Sequence, residues 1–199
     1  MKVTATRMQA RISEQIRAGA LMRLLVLLAL TMGFMPQARG EASSFTEYQV
    51  KALFLLNFTK YVEWPAETFA QPDSPVTIAV LGEDSFGDDL NKAVAGKMVG
   101  GRKIIILPIA SDDDWRKCQI LFISASEKKR LPEILARLKS LPVLTVGETA
   151  QFAEQGGIIN FTKKDGKVRL EVDLEAARNA KLLISSRLLN VADVVRGKP

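Results

Sequence analysis

Between Val50 and Val62, apolar side chains return every three to four positions: Val50, Leu53, Phe54, Phe58, Tyr61 and Val62. That spacing predicts a helix with one apolar stripe. Asn57 occupies the next slot of the same stripe, which places a polar amide on a face read as buried. Ser44 and Glu47 stand at the spacing of a capping box, and Trp64-Pro65 closes the helix, because a residue before proline resists the helical region.

The pattern then changes. Short, nearly continuous apolar runs follow at Val76–Leu81, Lys103–Leu107, Gln119–Ile123 and Val143–Val146. Helical spacings fall between them, at Phe86, Leu90 and Val94 and again at Leu131, Ile134, Leu135 and Leu138. Apolar strands alternating with helices predict a mainly parallel sheet covered by helices on both faces. Ile158–Phe161 and Val168–Val172 flank Lys164-Asp165-Gly166, a hairpin signal, and the second run alternates apolar and charged residues. The expected fold is therefore α/β, with an antiparallel hairpin near one edge and an extra N-terminal amphipathic helix. Asp173 is placed to cap a helix through Ala180, and Ser185 or Ser186 a last one with Leu188, Leu189, Ala192 and Val195 on its apolar side. In parallel sheets, ligands favour the crevice outside the strand carboxyl ends. Here those ends carry Gly82-Glu83-Asp84, Ser124-Ala125-Ser126-Glu127 and Gly147-Glu148-Thr149.

Composition redraws the front of the chain. Arg7, Arg11, Arg17 and Arg23 lead into the uncharged apolar run Leu24–Met35, Pro36 breaks it, and Ala38 and Gly40 are small residues at −3 and −1 of a cut. That is the layout of a cleavable secretory signal over residues 1–40, with Met22 as an alternative start. One α/β domain, residues 41–199, follows. The whole chain carries 28 Lys/Arg and 22 Asp/Glu, but residues 1–40 hold six of the former and one of the latter. The remainder, with 22 basic and 21 acidic residues, has no basic excess to point to nucleic acid. Cys118 is the single cysteine, so no internal disulfide can form, and histidine is absent. That absence removes His-ligated metals and Ser-His-Asp or Cys-His catalysis; no cofactor or metal is expected.

The remaining motifs read as structure. Gly82 and Gly87 have the spacing of a phosphate loop, yet Asp88-Asp89 stand where Lys and Ser/Thr belong, and these carboxylates suit a helix N-terminus instead. Ser126 and Lys129 match Ser-x-x-Lys without the companion motifs of penicillin-recognising enzymes. Asp112-Asp113-Asp114 lacks the glycine and distant glutamate of a calcium loop. Cys118, at the head of an apolar strand, reads as a small buried hydrophobe. Trp64 and Trp115 flank loops, where core packing and a partner surface both remain open.

Several stretches together resemble the YfiR-like family of periplasmic regulators: KALFLLNFTKYVEWP, IAVLGEDSFG, CQILFIS, LPVLTVGETAQFAEQGGIINF and VRLEVDLEAARNAKLLISSRLLNVADVV. Asn57, Phe58, Trp64, Pro65, Gly156, Gly157, Ser185 and Ser186 carry the motif. The resemblance implies a non-enzymatic protein that restrains an inner-membrane diguanylate cyclase through its periplasmic region, thereby modulating cyclic-di-GMP and biofilm. It also implies an outer-membrane lipoprotein as a second partner, and it raises a homodimer. The chain departs from the family in lacking its disulfides: Ala79 stands where a cysteine paired with that at Cys118 is common. Leu56, Asp173 and Lys181 replace a common Tyr, Asn and Gly.

Asn57 is accordingly expected to act as a buried polar pin. The partner surface is expected at Lys51, Lys60, Glu63, Arg178 and Arg187, which lie off the first helix's stripe or in the C-terminal motif. The alternative is a periplasmic small-molecule binding module, serving a sensor kinase or an uptake system, with its ligand in the strand-end crevice.

Overall fold

Thr46, not Ser44, opens the first helix, α1 (Glu47–Tyr61). Its hydroxyl accepts the Gln49 N–H at 3.2 Å while the Gln49 side chain accepts the Thr46 N–H at 3.0 Å, so the capping box begins two residues later than expected. The computed structural model describes residues 45–109 and 111–196, without the side chains of Asp112 and Asp113. The expected signal segment and Ser44 lie outside the described residues.

The phase of α1 also differs from expectation. Its buried residues are Lys51, Ala52, Leu55, Leu56, Phe58 and Thr59. Leu53 is 40% exposed and Asn57 only half-buried, on the outer side. Leu53-Phe54-Leu55-Leu56 is apolar all round, so spacing alone leaves the rotation undecided. Asn57 is therefore not a buried pin, and its side chain makes no hydrogen bond among the described residues. The helix is seated instead by aromatic rings. Phe58 and Phe54 pack on Phe161 at 6.1 and 5.9 Å between centroids, Phe161 on Phe122, Phe122 on Phe86 at 4.8 Å, and Phe86 on Tyr48 at 5.3 Å.

The chain continues through β1 (Val62–Glu63), β2 (Val76–Leu81), α2 (Asp88–Val94), β3 (Met98–Val99), β4 (Arg102–Ile106) and β5 (Ile120–Ile123). It then forms α3 (Leu131–Leu138), β6 (Leu144–Gly147), β7 (Ile159–Lys164) and β8 (Lys167–Asp173). The last elements are α4 (Leu174–Asn179), β9 (Leu183–Ile184), α5 (Ser186–Leu189) and β10 (Asp193–Arg196). Eight strands make the main sheet in the order β10-β8-β7-β6-β5-β2-β4-β3, and β1 pairs with β9 in a separate antiparallel ribbon. β4, β2, β5, β6 and β7 are mutually parallel, and β8 turns back antiparallel to β7. The mainly parallel α/β sheet is as expected. The C-terminal region is not: the last helix stops at Leu189, and Val195, expected on its apolar side, lies in the exposed edge strand β10.

The two faces bury different partners. Ile78, Ile120, Phe122, Leu144, Val146 and Ile159 point towards α1, α2, α4 and α5. Ala79, Leu81, Leu121 and Ile123 point the other way, onto α3, Trp115, Cys118 and Phe152. Cys118 is buried, its sulfur 3.2 Å from the Trp115 carbonyl, and burial pushes its thiol up to about 12. Phe152 is fully buried between the backbones of Gly147 and Gly157, where a methyl group on either glycine would overlap its ring. Gly157 of the motif is thus part of the space that Phe152 fills, while Gly156 turns the chain at φ +99°.

Gly157→Ala is expected to cost about 3 kcal/mol in urea unfolding, the upper end for overpacking a tight site. Adding Phe152→Leu, which withdraws the ring, is expected to recover some of that loss.

Candidate functional site

The parallel strands deliver three backbone ends to one edge of the sheet, and these ends are not equivalent. At the first two, after β2 and β5, the Glu83 N–H donates to Ser126 Oγ at 2.9 Å. Gly82, at φ +90°, lets the two loops close on each other, since a Cβ there would overlap Ser126 Oγ. Ser126 is thereby tied into a loop closure rather than set beside a base. Asp84 Oδ1 accepts the Phe86 N–H at 2.9 Å, and Asp88 and Asp89 begin α2, so these carboxylates serve the helix start.

The third end, Glu148-Thr149 after β6, stays open and is roofed by the first turns of α1. Lys51 reaches down from α1 and is only 4% exposed. Its ammonium lies 2.7 Å from Glu148 Oε2 and 2.6 Å from Glu47 Oε1. Glu148 also accepts from the Tyr48 hydroxyl at 3.2 Å and the Ala125 N–H at 3.3 Å. Lys163, on β7, pairs with Glu47 at 3.1 Å, which completes a chain of alternating charges, Lys163–Glu47–Lys51–Glu148. Burial alone would lower the Lys51 pKa, but its hydrogen bonds to Glu148 and Glu47 outweigh that and raise it above the ordinary 10.5. The hydrogen bond from Lys51 holds Glu47 below the ordinary 4.5, against the opposing effect of burial.

A cavity of about 460 Å³ opens between these groups and the ends of β6 and β7. Thr149 and Asn160 stand in its wall, 5% and 1% exposed. Asn160 Nδ2 donates to Glu171 at 3.0 Å, but Asn160 Oδ1 and Thr149 Oγ1 are buried with no hydrogen-bond partner among the described residues. A cavity of about 440 Å³ lies between α3 and α4, with the buried Asp173 and Thr145 in its wall. Its polar atoms are better engaged: Asp173 Oδ1 accepts the Ala176 N–H at 2.9 Å and Thr145 Oγ1 the Ile158 N–H at 3.0 Å.

The five residues expected to share a partner surface do not converge. Lys51 belongs to the crevice and is buried, which corrects its reading as a surface residue. Lys60 and Glu63 are exposed at the far end of α1 and on β1, about 14 Å away at the helical rise for Lys60. Arg178 on α4 and Arg187 on α5 are exposed. The β1–β9 ribbon sets Glu63 opposite Leu183, which is 65% exposed and lies two residues before the Ser185 cap of α5. Tyr48, Glu148, Thr149, Asn160 and Lys163 were not singled out from the sequence. The strand-end rule pointed to Glu148 and Thr149 as a place, but the Lys51 and Tyr48 side chains that meet Glu148 lie about a hundred residues away on α1.

A family model described as YfiR/HmsC-like matches residues 48–193, which takes in α1 from its second residue, the main sheet as far as the first residue of β10, and the crevice apart from Glu47. The chain belongs to the YfiR/HmsC-like family. No curated protein matches it. Among solved structures, a conserved domain protein from Vibrio cholerae is similar at 12% identity and a TM-score of 0.47, covering 76% of this chain and 61% of that one. The ABC domain from Streptococcus pneumoniae in complex with L-Trp is similar at 11% identity and a TM-score of 0.45, covering 60% of this chain and 56% of that one. The chain thus spans about three-fifths of the length of these structures. No helix among the described residues is long and apolar enough to cross a membrane.

The YfiR/HmsC-like motif residues now have physical places. Phe58 is in the aromatic seat of α1; Trp64 Nε1 donates to the Gln119 carbonyl at 3.1 Å; Pro65 turns the chain away; and the Ser185 N–H donates to Tyr61 O at 2.8 Å while its side chain caps α5 beside the exposed Ser186.

Breaking the buried pair by Lys51→Met is expected to cost about 3 kcal/mol, because Glu148 is left charged and buried, and Lys51→Met/Glu148→Gln to recover most of it in urea unfolding. The pH profile carries both limbs of the network. With its pKa raised, Lys51 contributes fully below pH 10.5 and loses that contribution as pH climbs through the raised value. With its pKa lowered, Glu47 contributes fully above pH 4.5 and loses that contribution as pH falls through the lowered value. Lys51→Met is expected to flatten the alkaline limb in unfolding midpoints measured across pH.

Proposed function

We propose that this protein is a periplasmic, non-enzymatic regulator that restrains an inner-membrane sensor, such as a diguanylate cyclase, and so lowers cyclic-di-GMP and biofilm formation. The observation that carries this reading is the YfiR/HmsC-like match over residues 48–193, since membership of that family supports a regulatory role. The signal-like residues 1–40 support delivery to the periplasm, and the absence of histidine fits a protein that works by binding.

The partner surface is assigned to the β1–β9 end of the domain. Exposed Leu183 and Val191 (65% and 61%) supply an apolar centre there, and Lys60, Glu63 and Arg187 supply charge around it. An outer-membrane lipoprotein that relieves the restraint would compete for the same surface. Lys51 is removed from that surface by its burial.

A second reading, a small-molecule binding module serving a sensor kinase or an uptake system, is favoured by one specific observation: the cavity of about 460 Å³ at the carboxyl ends of the parallel strands.

Deleting the gene is expected to raise cyclic-di-GMP and biofilm, and complementation with the normal chain to reverse both. Complementation with Leu183→Glu is expected to fail at a normal periplasmic level and unfolding midpoint. Unchanged cyclic-di-GMP after deletion would overturn the restraint, and full complementation by Leu183→Glu would overturn the assigned surface.

A further inference from the structure

We propose that the β7–β8 hairpin is an arm that docks this protein onto an anionic lipid bilayer, through Lys164, Lys167 and Arg169 at its tip and Phe45 beside it. The inference goes beyond the restraint of a sensor and does not depend on it.

The arm is made by an overhang. β6 ends at Gly147, opposite Asn160, whereas β7 continues to Lys164, about 13 Å further at the rise of a strand. On the other side, β10 meets β8 only at Glu171–Asp173. Residues 162–169 therefore project past both neighbouring strands as a two-stranded ribbon. Asp165 and Gly166 close it at φ +52° and +71°, the tight turn that suits the twist of a hairpin. The first turn of α1 braces one side, where Glu47 holds Lys163 at 3.1 Å.

The charge on this ribbon is one-sided. Lys164 stands directly opposite Lys167, and Arg169 lies two residues on, on the same face. All three are exposed, and they make no ion pair among the described residues. Asp165 alone is acidic between residues 162 and 169. Like charges set opposite each other in a ladder cost stability. Lysines on an open edge discourage strand pairing, yet that task does not require two of them to face each other. Glu83 and Asp84 follow β2, three places from β7 in the sheet and roughly 14 Å away, so they do not cancel the arm's charge.

Two observations select a bilayer over an acidic protein. The cations crown a convex tip that neither of the two cavities described above reaches, so they present charge to a plane and frame no pocket for a single carboxylate. Phe45, 67% exposed, lies two residues ahead of Glu47, which is itself held to the arm through Lys163. An exposed ring beside clustered Lys and Arg is the composition of an interfacial contact, with the ring in the headgroup layer and the cations on lipid phosphates.

The experiment is co-sedimentation of the secreted chain, purified from the periplasm, with vesicles of mixed phosphatidylglycerol and phosphatidylcholine and with vesicles of phosphatidylcholine alone. A polyglutamate peptide is titrated separately. The expected result is binding to the anionic vesicles only, weakened by added salt. Lys164→Gln/Lys167→Gln should lower the partition coefficient roughly twenty-fivefold, about fivefold per charge. The same variant should keep or raise the unfolding midpoint, because the opposed pair is gone. Phe45→Ser should also lower partitioning, by a factor that salt does not change. No binding to anionic vesicles, equal binding to phosphatidylcholine alone, or undiminished binding by the double variant would each overturn the arm as a membrane contact. Binding of polyglutamate without binding of vesicles would assign the arm to an acidic protein and overturn the bilayer. Undiminished binding by Phe45→Ser would overturn the part given to the ring. None of these outcomes bears on the restraint of a sensor, which is read separately through cyclic-di-GMP.

Discussion

An ammonium group cannot be held under a helix without a carboxylate to meet it, and that requirement decides how α1 sits on the sheet. Lys51 is almost wholly buried, so its charge has to be matched where it falls. The match is Glu148, delivered by the end of β6, with Glu47 one turn back on α1 as the second partner. The aromatic line from Phe58 through Phe161 and Phe122 to Phe86 and Tyr48 gives α1 its apolar seat, but rings tolerate sliding. A buried ion pair does not. Lys51 therefore sets the register, and the crevice exists because the first turns of α1 are held above the strand ends by this pair.

The other end of α1 is held by a different device. Trp64 donates to the Gln119 carbonyl, and the Gln119 side chain accepts both the Thr77 N–H and the Thr77 hydroxyl at 2.8 Å. This knot lies where β2 and β5 begin, at the opposite edge of the sheet from Glu148. A helix of 15 residues is about 22 Å long, close to the span of a six-residue strand. α1 thus runs the length of the sheet and is fastened at both edges by polar contacts. The opposite face needs no such pins, because its helix α3 is joined to β5 and β6 by short connections and Phe152 is locked between two glycines.

The central strands were legible because both of their faces are buried: VTIAVL is bounded in the structure as it is in the sequence, at Val76–Leu81. The hairpin was legible from its turn. β1, β3, β9 and β10 were not, since two to four residues carry no period, and β10 was absorbed into an expected helix. The phase of α1 failed for two linked reasons: four consecutive apolar residues blur the stripe, and a lysine in its middle reads as surface. The site was legible only as a location. Strand ends can be found from topology, but a pair joined across 97 residues of sequence leaves no local signal. Asn57 shows the converse, a polar residue on an apparent stripe whose significance dissolves once the stripe is rotated.

α1 now carries two surfaces, an inner first turn that roofs the crevice and an outer, C-terminal side that leads into the β1–β9 ribbon. It would be natural to connect them by a helix that shifts when either is occupied. Such coupling needs two discrete seats for the helix, each favoured by one occupant. A shift of one turn, about 5.4 Å, would carry Lys51 away from Glu148, leaving Lys51 with Glu47 alone and the buried Glu148 carboxylate without its ammonium. The aromatic seat would have to be rebuilt at the same time. The structure offers Lys51 no second carboxylate beneath the helix among the described residues, so the large shift is strongly opposed. Communication between the two surfaces, where it operates, must therefore pass through changes smaller than a turn, in the loops that α1 roofs. The helix itself acts as a fixed beam from which both surfaces are hung.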